Sequence, residues 1–177
     1  MWNGTYYLGA VSITPIVKRR RSKMEAGKLD LEHRSFALPG LIEDITELLA
    51  PRAQAKKIEI AAYVDERLPT QVIGDAARLR QVLLNLAGNA IKFTSTGGVA
   101  LIVEPGIWPN EISFLVRDTG IGIAPEAQAR IFCEFEQADE AVKRKRGGTG
   151  LGLAISRRLA RAMEGDIEVR SEPASGS

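Results

Sequence analysis

The sequence predicts an α+β fold, a two-layer sandwich of a mixed or antiparallel sheet with helices on one face. Three observations predict it. Residues 75–94 repeat apolar side chains at helical spacing. Gly98–Val103 and Glu111–Val116 read as strands around Pro105, Gly106, Pro109 and Asn110, a hairpin pattern. Leu151–Met163 is a second helical stretch, apolar at Leu151, Ile155, Leu159 and Met163, and the strand-like Asp166–Arg170 follows it.

At 177 residues the chain fits one domain with a real core. Hydrophobic residues make up 45% and charged residues 26%, the balance of a soluble globular protein. The 24 basic residues nearly cancel the 22 acidic ones, so the charge gives no reason to expect nucleic acid. The single cysteine, Cys133, excludes an internal disulfide framework and fits a reducing cytoplasm. The single histidine, His33, leaves no Cys/His cluster for zinc.

Residues 1–21 end in a basic cluster, Lys18–Arg21, and read as a leader. Trp2–Val17 leans apolar, but Asn3, Thr5, Ser12, Thr14 and Pro15 make it too polar and too short to span a bilayer. No membrane contact is expected of this domain. Leu41–Lys57 reads as an amphipathic helix with Leu41, Ile42, Ile45, Leu48 and Leu49 on one side and Pro51 able to kink or split it. Ile58–Val64 alternates like a strand, and Val72–Gly74 is a shorter candidate.

The helix at 76–93 starts behind a good N-cap, Asp75, and stops before Gly97-Gly98. Leu79, Val82, Leu83, Leu86, Ala90 and Phe93 form its apolar stripe, with Arg78, Gln81, Asn85, Asn89 and Lys92 on another face. Asn85, Asn89 and Lys92 stand at i, i+4 and i+7, so two amide oxygens and an ammonium share one patch. Amide oxygens suit Mg²⁺ and an ammonium suits phosphate. Alone, this pattern equally describes a half-buried helix with a solvated polar side.

Two glycine-rich stretches shift the balance. Asp118-Thr-Gly-Ile-Gly-Ile123 places a carboxylate before Gly120 and Gly122, and Gly147-Gly-Thr-Gly-Leu-Gly-Leu153 opens the second helix. Backbone N–H groups at such a helix start bind anions. The second stretch is neither a Walker loop nor a dinucleotide fingerprint, and no protein-kinase motif set is present.

With these stretches the chain resembles the ATP-binding domain of sensor histidine kinases, in the superfamily shared with gyrase-type topoisomerases, heat-shock chaperones of the ninety-kilodalton class and mismatch-repair ATPases. Asn85–Thr94 matches the N box of that family, Asp118–Ile123 its first glycine box, Phe132–Phe135 its F box and Gly148–Leu153 its second glycine box. The resemblance implies ATP with Mg²⁺ as cofactors. It implies Asn85 and Asn89 as metal ligands and, with Lys92, as the catalytic patch. Asp118 then accepts the adenine amine, with Gly120, Gly122 and Ile123 at the base. Gly148, Thr149, Gly150, Leu151, Gly152 and Leu153 stand at the phosphates. Phe132 and Phe135 pin a lid over Glu134–Arg146, in which Lys143–Arg146 either sample the triphosphate or form a solvated basic loop. Arg157, Arg158 and Arg161 are read as a solvated helix face.

Residues 36–177 form the expected catalytic domain, lacking a last strand of the family pattern. Residues 1–35 form a leader and the remnant of a dimerisation hairpin, Ser22–Leu29 resembling its end. The family phosphoacceptor motif is absent: Ala10 stands where its histidine belongs, and His33 lacks the surrounding motif. The expected activity is transfer of the ATP γ-phosphoryl to a histidine on a dimerisation domain outside this chain, upstream of a response regulator or receiver domain. A regulatory nucleotide-binding module and a superfamily ATPase are the alternatives. Hydrolytic members carry a glutamate where this chain has Asn85, and an amide cannot serve as a base near neutral pH.

Overall fold

A computed structural model describes residues 30–128, 130–133, 151–172 and 176–177, and the backbone of residues 9–13. Strands β1 (Gly9–Ile13), β2 (Arg34–Ala37), β3 (Glu59–Val64), β4 (Gln71–Gly74), β5 (Gly98–Pro105), β6 (Ile112–Asp118) and β7 (Asp166–Ile167) alternate with helices α1 (Leu38–Ala55), α2 (Ala76–Phe93), α3 (Pro125–Gln128) and α4 (Gly152–Ala162). The main sheet runs β3-β5-β6-β1-β7, and β2 pairs with β4 separately. Among the described residues only β3 and β5 pair in parallel, so the sheet is mixed, as expected.

Helix α2 is the central support. It packs against α1, α4, β5 and β6. Asp75 caps it, its Oδ1 accepting from the Arg78 N–H at 2.9 Å. Val82, Leu83, Ala87 and Ile91 of α2 are buried with Ile42, Ile45 and Leu49 of α1, Val99, Leu101 and Val103 of β5, and Leu159 and Ala160 of α4. The buried set turns slightly from the expected stripe: Ala87 and Ile91 are buried, whereas Leu86 and Phe93 are half-buried. Neighbours on both sides, α1 and α4, widen the covered arc beyond a single stripe. Leu83 is 1% exposed. Leu83→Ala is expected to cost about 2–5 kcal/mol of unfolding free energy in chemical denaturation, from lost burial plus the residual cavity.

Several elements differ from the sequence reading. Helix α1 begins at Leu38 and runs through Pro51 unbroken. Pro39 suits its first turn, and Pro51 and Glu47 are both exposed, so water can reach the carbonyl that proline leaves without a donor. The Asp166–Arg170 strand shortens to Asp166–Ile167, which pair with Ser12 and Val11. Gly9–Ile13 falls within the stretch read as a leader, yet it pairs antiparallel with β6 from Gly9 opposite Val116 to Ile13 opposite Ile112. The Ser177 carbonyl accepts from the Asp118 N–H at 2.7 Å, just ahead of β1 along the same strand. No helix among the described residues is long and apolar enough to cross a membrane.

Candidate functional site

Three elements carry the expected site residues that are described. Helix α2 presents Asn85, Asn89 and Lys92, all half-buried. Asn85 faces the start of α4: its Nδ2 donates to Ser156 Oγ at 2.9 Å, and a Cβ on Gly152 would lie 2.5 Å from its Oδ1. Glycine at 152 therefore lets α4 approach the amide. The α4 N-terminus, with Leu151, Gly152 and Leu153 half-buried, has no side-chain cap. Among the described residues, its leading N–H groups thus receive no capping side chain.

The other end of α2 meets the turn after β6. A Cβ on Gly120 would lie 2.8 Å from the Phe93 carbonyl oxygen and equally close to Asp118 Oδ1. The Gly120 N–H donates to that Oδ1 at 2.8 Å. Gly122 has φ 68°, in the left-handed region where glycine is at home. Burial pushes the Asp118 carboxyl above the usual carboxylate range, while the N–H groups of Gly120 and Ser177 pull it partly back. A half-buried carboxylate at a tight glycine turn can receive a donor that brings its own hydrogen.

Residues outside the expected set hold this turn from behind. The Ile123 N–H donates to Ser171 Oγ at 2.7 Å, and the Ser171 hydroxyl donates to the Gly176 carbonyl at 2.7 Å. Gln128 Nε2 donates to the Ile123 carbonyl at 2.9 Å and the Ser171 carbonyl at 2.7 Å. These partners lie up to 48 residues apart in sequence, so no local pattern announces them.

Arg157 corrects the expectation of a solvated helix face. Its guanidinium lies 4.7 Å from the centroid of the Phe132 ring, a cation–π contact. Its Nε and Nη2 donate to the two carboxylate oxygens of Asp166 at 2.8 and 3.1 Å. Arg161 donates to the same carboxylate, at 3.3 and 3.2 Å. This forked pairing holds the Asp166 carboxyl well below the usual range, led by Arg157. Arg158 is exposed, as expected of it. Phe132 is half-buried and packs on the core.

Gly148, Thr149 and Gly150, and the lid read over Glu134–Arg146, lie outside the described residues. Among the described residues no cluster of three His, Cys, Asp or Glu side chains could hold a metal ion. An apolar recess at the other end of the fold, lined by His33, Phe36, Val72, Phe114 and Met163, includes none of these site residues. His33 itself is exposed.

Residues 74–177 match the family described as histidine kinase-, DNA gyrase B- and HSP90-like ATPase. The signal transduction histidine-protein kinase BarA of Escherichia coli K12 is 44% identical over 159 residues, which is 88% of this chain and 17% of BarA. The sensor histidine kinase GacS of Pseudomonas protegens is 43% identical over 159 residues, 88% of this chain and 17% of that protein. The chain thus spans under a fifth of the length of these two relatives. Among solved structures, full-length ShkA in complex with AMPPNP superposes with a TM-score of 0.76 at 46% identity, over 85% of this chain and 30% of that one. The nucleotide-free catalytic domain of histidine kinase ThkA gives 0.60 at 29% identity, over 72% of this chain and 80% of that one.

Proposed function

The chain belongs to the histidine kinase-, DNA gyrase B- and HSP90-like ATPases, as a catalytic ATP-binding domain of the sensor histidine kinase type, and from that premise we propose that it binds Mg²⁺-ATP and passes the γ-phosphoryl to a histidine on the dimerisation hairpin of its kinase. One observation carries the reading: the three glycine- and asparagine-bearing stretches meet. Asn85 abuts Gly152 and Ser156, while the Phe93 carbonyl abuts Gly120.

In this reading Asp118 accepts the adenine exocyclic amine, with Gly120, Gly122 and Ile123 giving the base room at the backbone. Asn89 and Asn85 hold Mg²⁺ by their amide oxygens, and Lys92 meets the phosphates. Leu151, Gly152 and Leu153, continuing Gly148–Gly150, offer N–H groups to the phosphate chain. Mg²⁺ supplies charge neutralisation across the phosphates. The residues themselves orient the phosphate chain and exclude water. Asn85 cannot take a proton from water, so hydrolysis is slow and the imidazole of the hairpin is the favoured acceptor. Phe132, gripped by Arg157, anchors the lid. The downstream partner is a response regulator or receiver domain, and the setting is the cytoplasm.

Thermal melts test the nucleotide site. At a hundredfold excess of Mg²⁺-ATP over its Kd, the fold is expected to gain about 2.7 kcal/mol. Coincident melts with and without Mg²⁺-ATP would remove the site.

A further inference from the structure

We propose that Lys56 is a positioning residue for this site: its ammonium gathers the carbonyls at the C-terminus of α2 and fixes the turn from which Lys92 and Asn89 are presented. The proposal rests on the nucleotide-site reading above. Lys56 caps α1, its backbone N–H donating to the Ala53 carbonyl at 3.0 Å. Lys57 then adopts φ 57° and turns the chain toward β3. This turn leaves the Lys56 side chain directed across to α2. Its Nζ donates to the carbonyls of Ile91 at 2.6 Å, Lys92 at 2.9 Å and Thr94 at 2.5 Å.

These contacts fall on the carbonyls at the end of α2. The last carbonyls of a helix have no partner inside it. That of Ala90 receives the Thr94 N–H at 3.0 Å and the Thr94 hydroxyl at 2.8 Å. Those of Ile91 and Lys92 receive Lys56. That of Phe93 faces Gly120 at the adenine turn. A cation here also meets the negative end of the helix dipole.

Lysine is the residue suited to this geometry. Three carbonyls converge on one point, and an ammonium carries three donors on a compact charge. A guanidinium spreads its donors along a rigid plane and matches paired acceptors instead. The backbone pinned by Lys56 is that of Lys92 itself, with Asn89 one turn before it. A small rotation of this turn displaces both groups from the phosphates, and misplacement on that scale is costly to positioning catalysis.

Isotherms for Mg²⁺-ATP and for adenosine on the parent chain and on Lys56→Met, taken well below the melting midpoint, test this. Lys56→Met is expected to weaken Mg²⁺-ATP binding about tenfold or more, with a clearly smaller loss for adenosine, which engages only the Asp118 end. A parent chain that fails to bind Mg²⁺-ATP would sink the nucleotide-site reading. A parent that binds, beside a Lys56→Met variant with unchanged Mg²⁺-ATP affinity or with equal losses for both ligands, would overturn the role of Lys56. Should Lys56→Met not fold, Lys56→Arg decides: unchanged Mg²⁺-ATP affinity overturns the proposal, and weakened affinity with a native melting profile supports it.

Discussion

Asn89→Ala is expected to abolish phosphoryl transfer to a separately supplied histidine hairpin while leaving the domain folded. Asn89 is a half-buried residue inside α2, one turn after Asn85 and three residues before Lys92. Alanine is the better helix former, so the helix itself loses nothing by the change. What goes is an amide oxygen, the kind of hard ligand that Mg²⁺ takes from a protein. Phosphoryl transfer depends on positioning and charge neutralisation, and an ion that loses a ligand is misplaced against the phosphates, which costs about 10²-fold or more. Transfer of label from γ-labelled ATP, beside a melting curve, is the measurement. Transfer at the parent rate would remove Asn89 from the metal site.

Asp118→Asn is expected to remove most of the stabilisation that Mg²⁺-ATP confers. The Gly120 N–H already occupies Oδ1. An asparagine that keeps this bond points its Nδ2 outward, setting a donor against the adenine amine where an acceptor is needed. The nucleotide-free protein is not expected to suffer. Burial disfavours the Asp118 charge, so a neutral amide is tolerated there or mildly favoured. The same burial sets a pH dependence. The carboxyl titrates above its ordinary value in the folded chain, so the folded state takes up this proton before the unfolded state does. Its contribution to unliganded stability therefore rises as pH falls through the raised pKa. The proposed acceptor role requires the ionised form, so affinity is expected to fall across that same window. Calorimetric titrations at descending pH would show it, and an affinity flat down to the ordinary carboxylate range would contradict the assignment of Asp118 to the base.

Much of the scaffold was legible where the determining forces are local. Helix α2 is bounded by an N-cap and a glycine pair, and it runs from Ala76 to Phe93 as read. The β5–β6 hairpin was marked by turn residues, and the structure lengthens its strands to Pro105 and Asp118. Strand β2 was missed because only Phe36 of its four residues is even half-buried, so no alternation marks it. Strand β1 was missed for a different reason. Its place is defined by β6, a hundred residues later, through backbone pairing that any extended segment can offer.

At the site, residue types at fixed spacing on one helix or one turn could be read directly. Residues that act through distant partners could not. Arg157 looks like one of three surface arginines until Phe132 and Asp166 are placed beside it. Lys56 looks like an exposed helix end until the carbonyls of α2 arrive, 35 to 38 residues onward. Ser171 gives no sign of bracing the Ile123 amide.

The central claim, that this domain hands a phosphoryl group to histidine rather than to water, is tested most directly by one labelling experiment. The chain is incubated with γ-labelled Mg²⁺-ATP and the separately supplied histidine-bearing hairpin of the same kinase. The label is expected on the hairpin as an acid-labile, base-stable phosphate, with little free phosphate released and none on the chain itself. Brisk release of inorganic phosphate without the hairpin, or tight nucleotide binding with an unlabelled hairpin, would contradict the account.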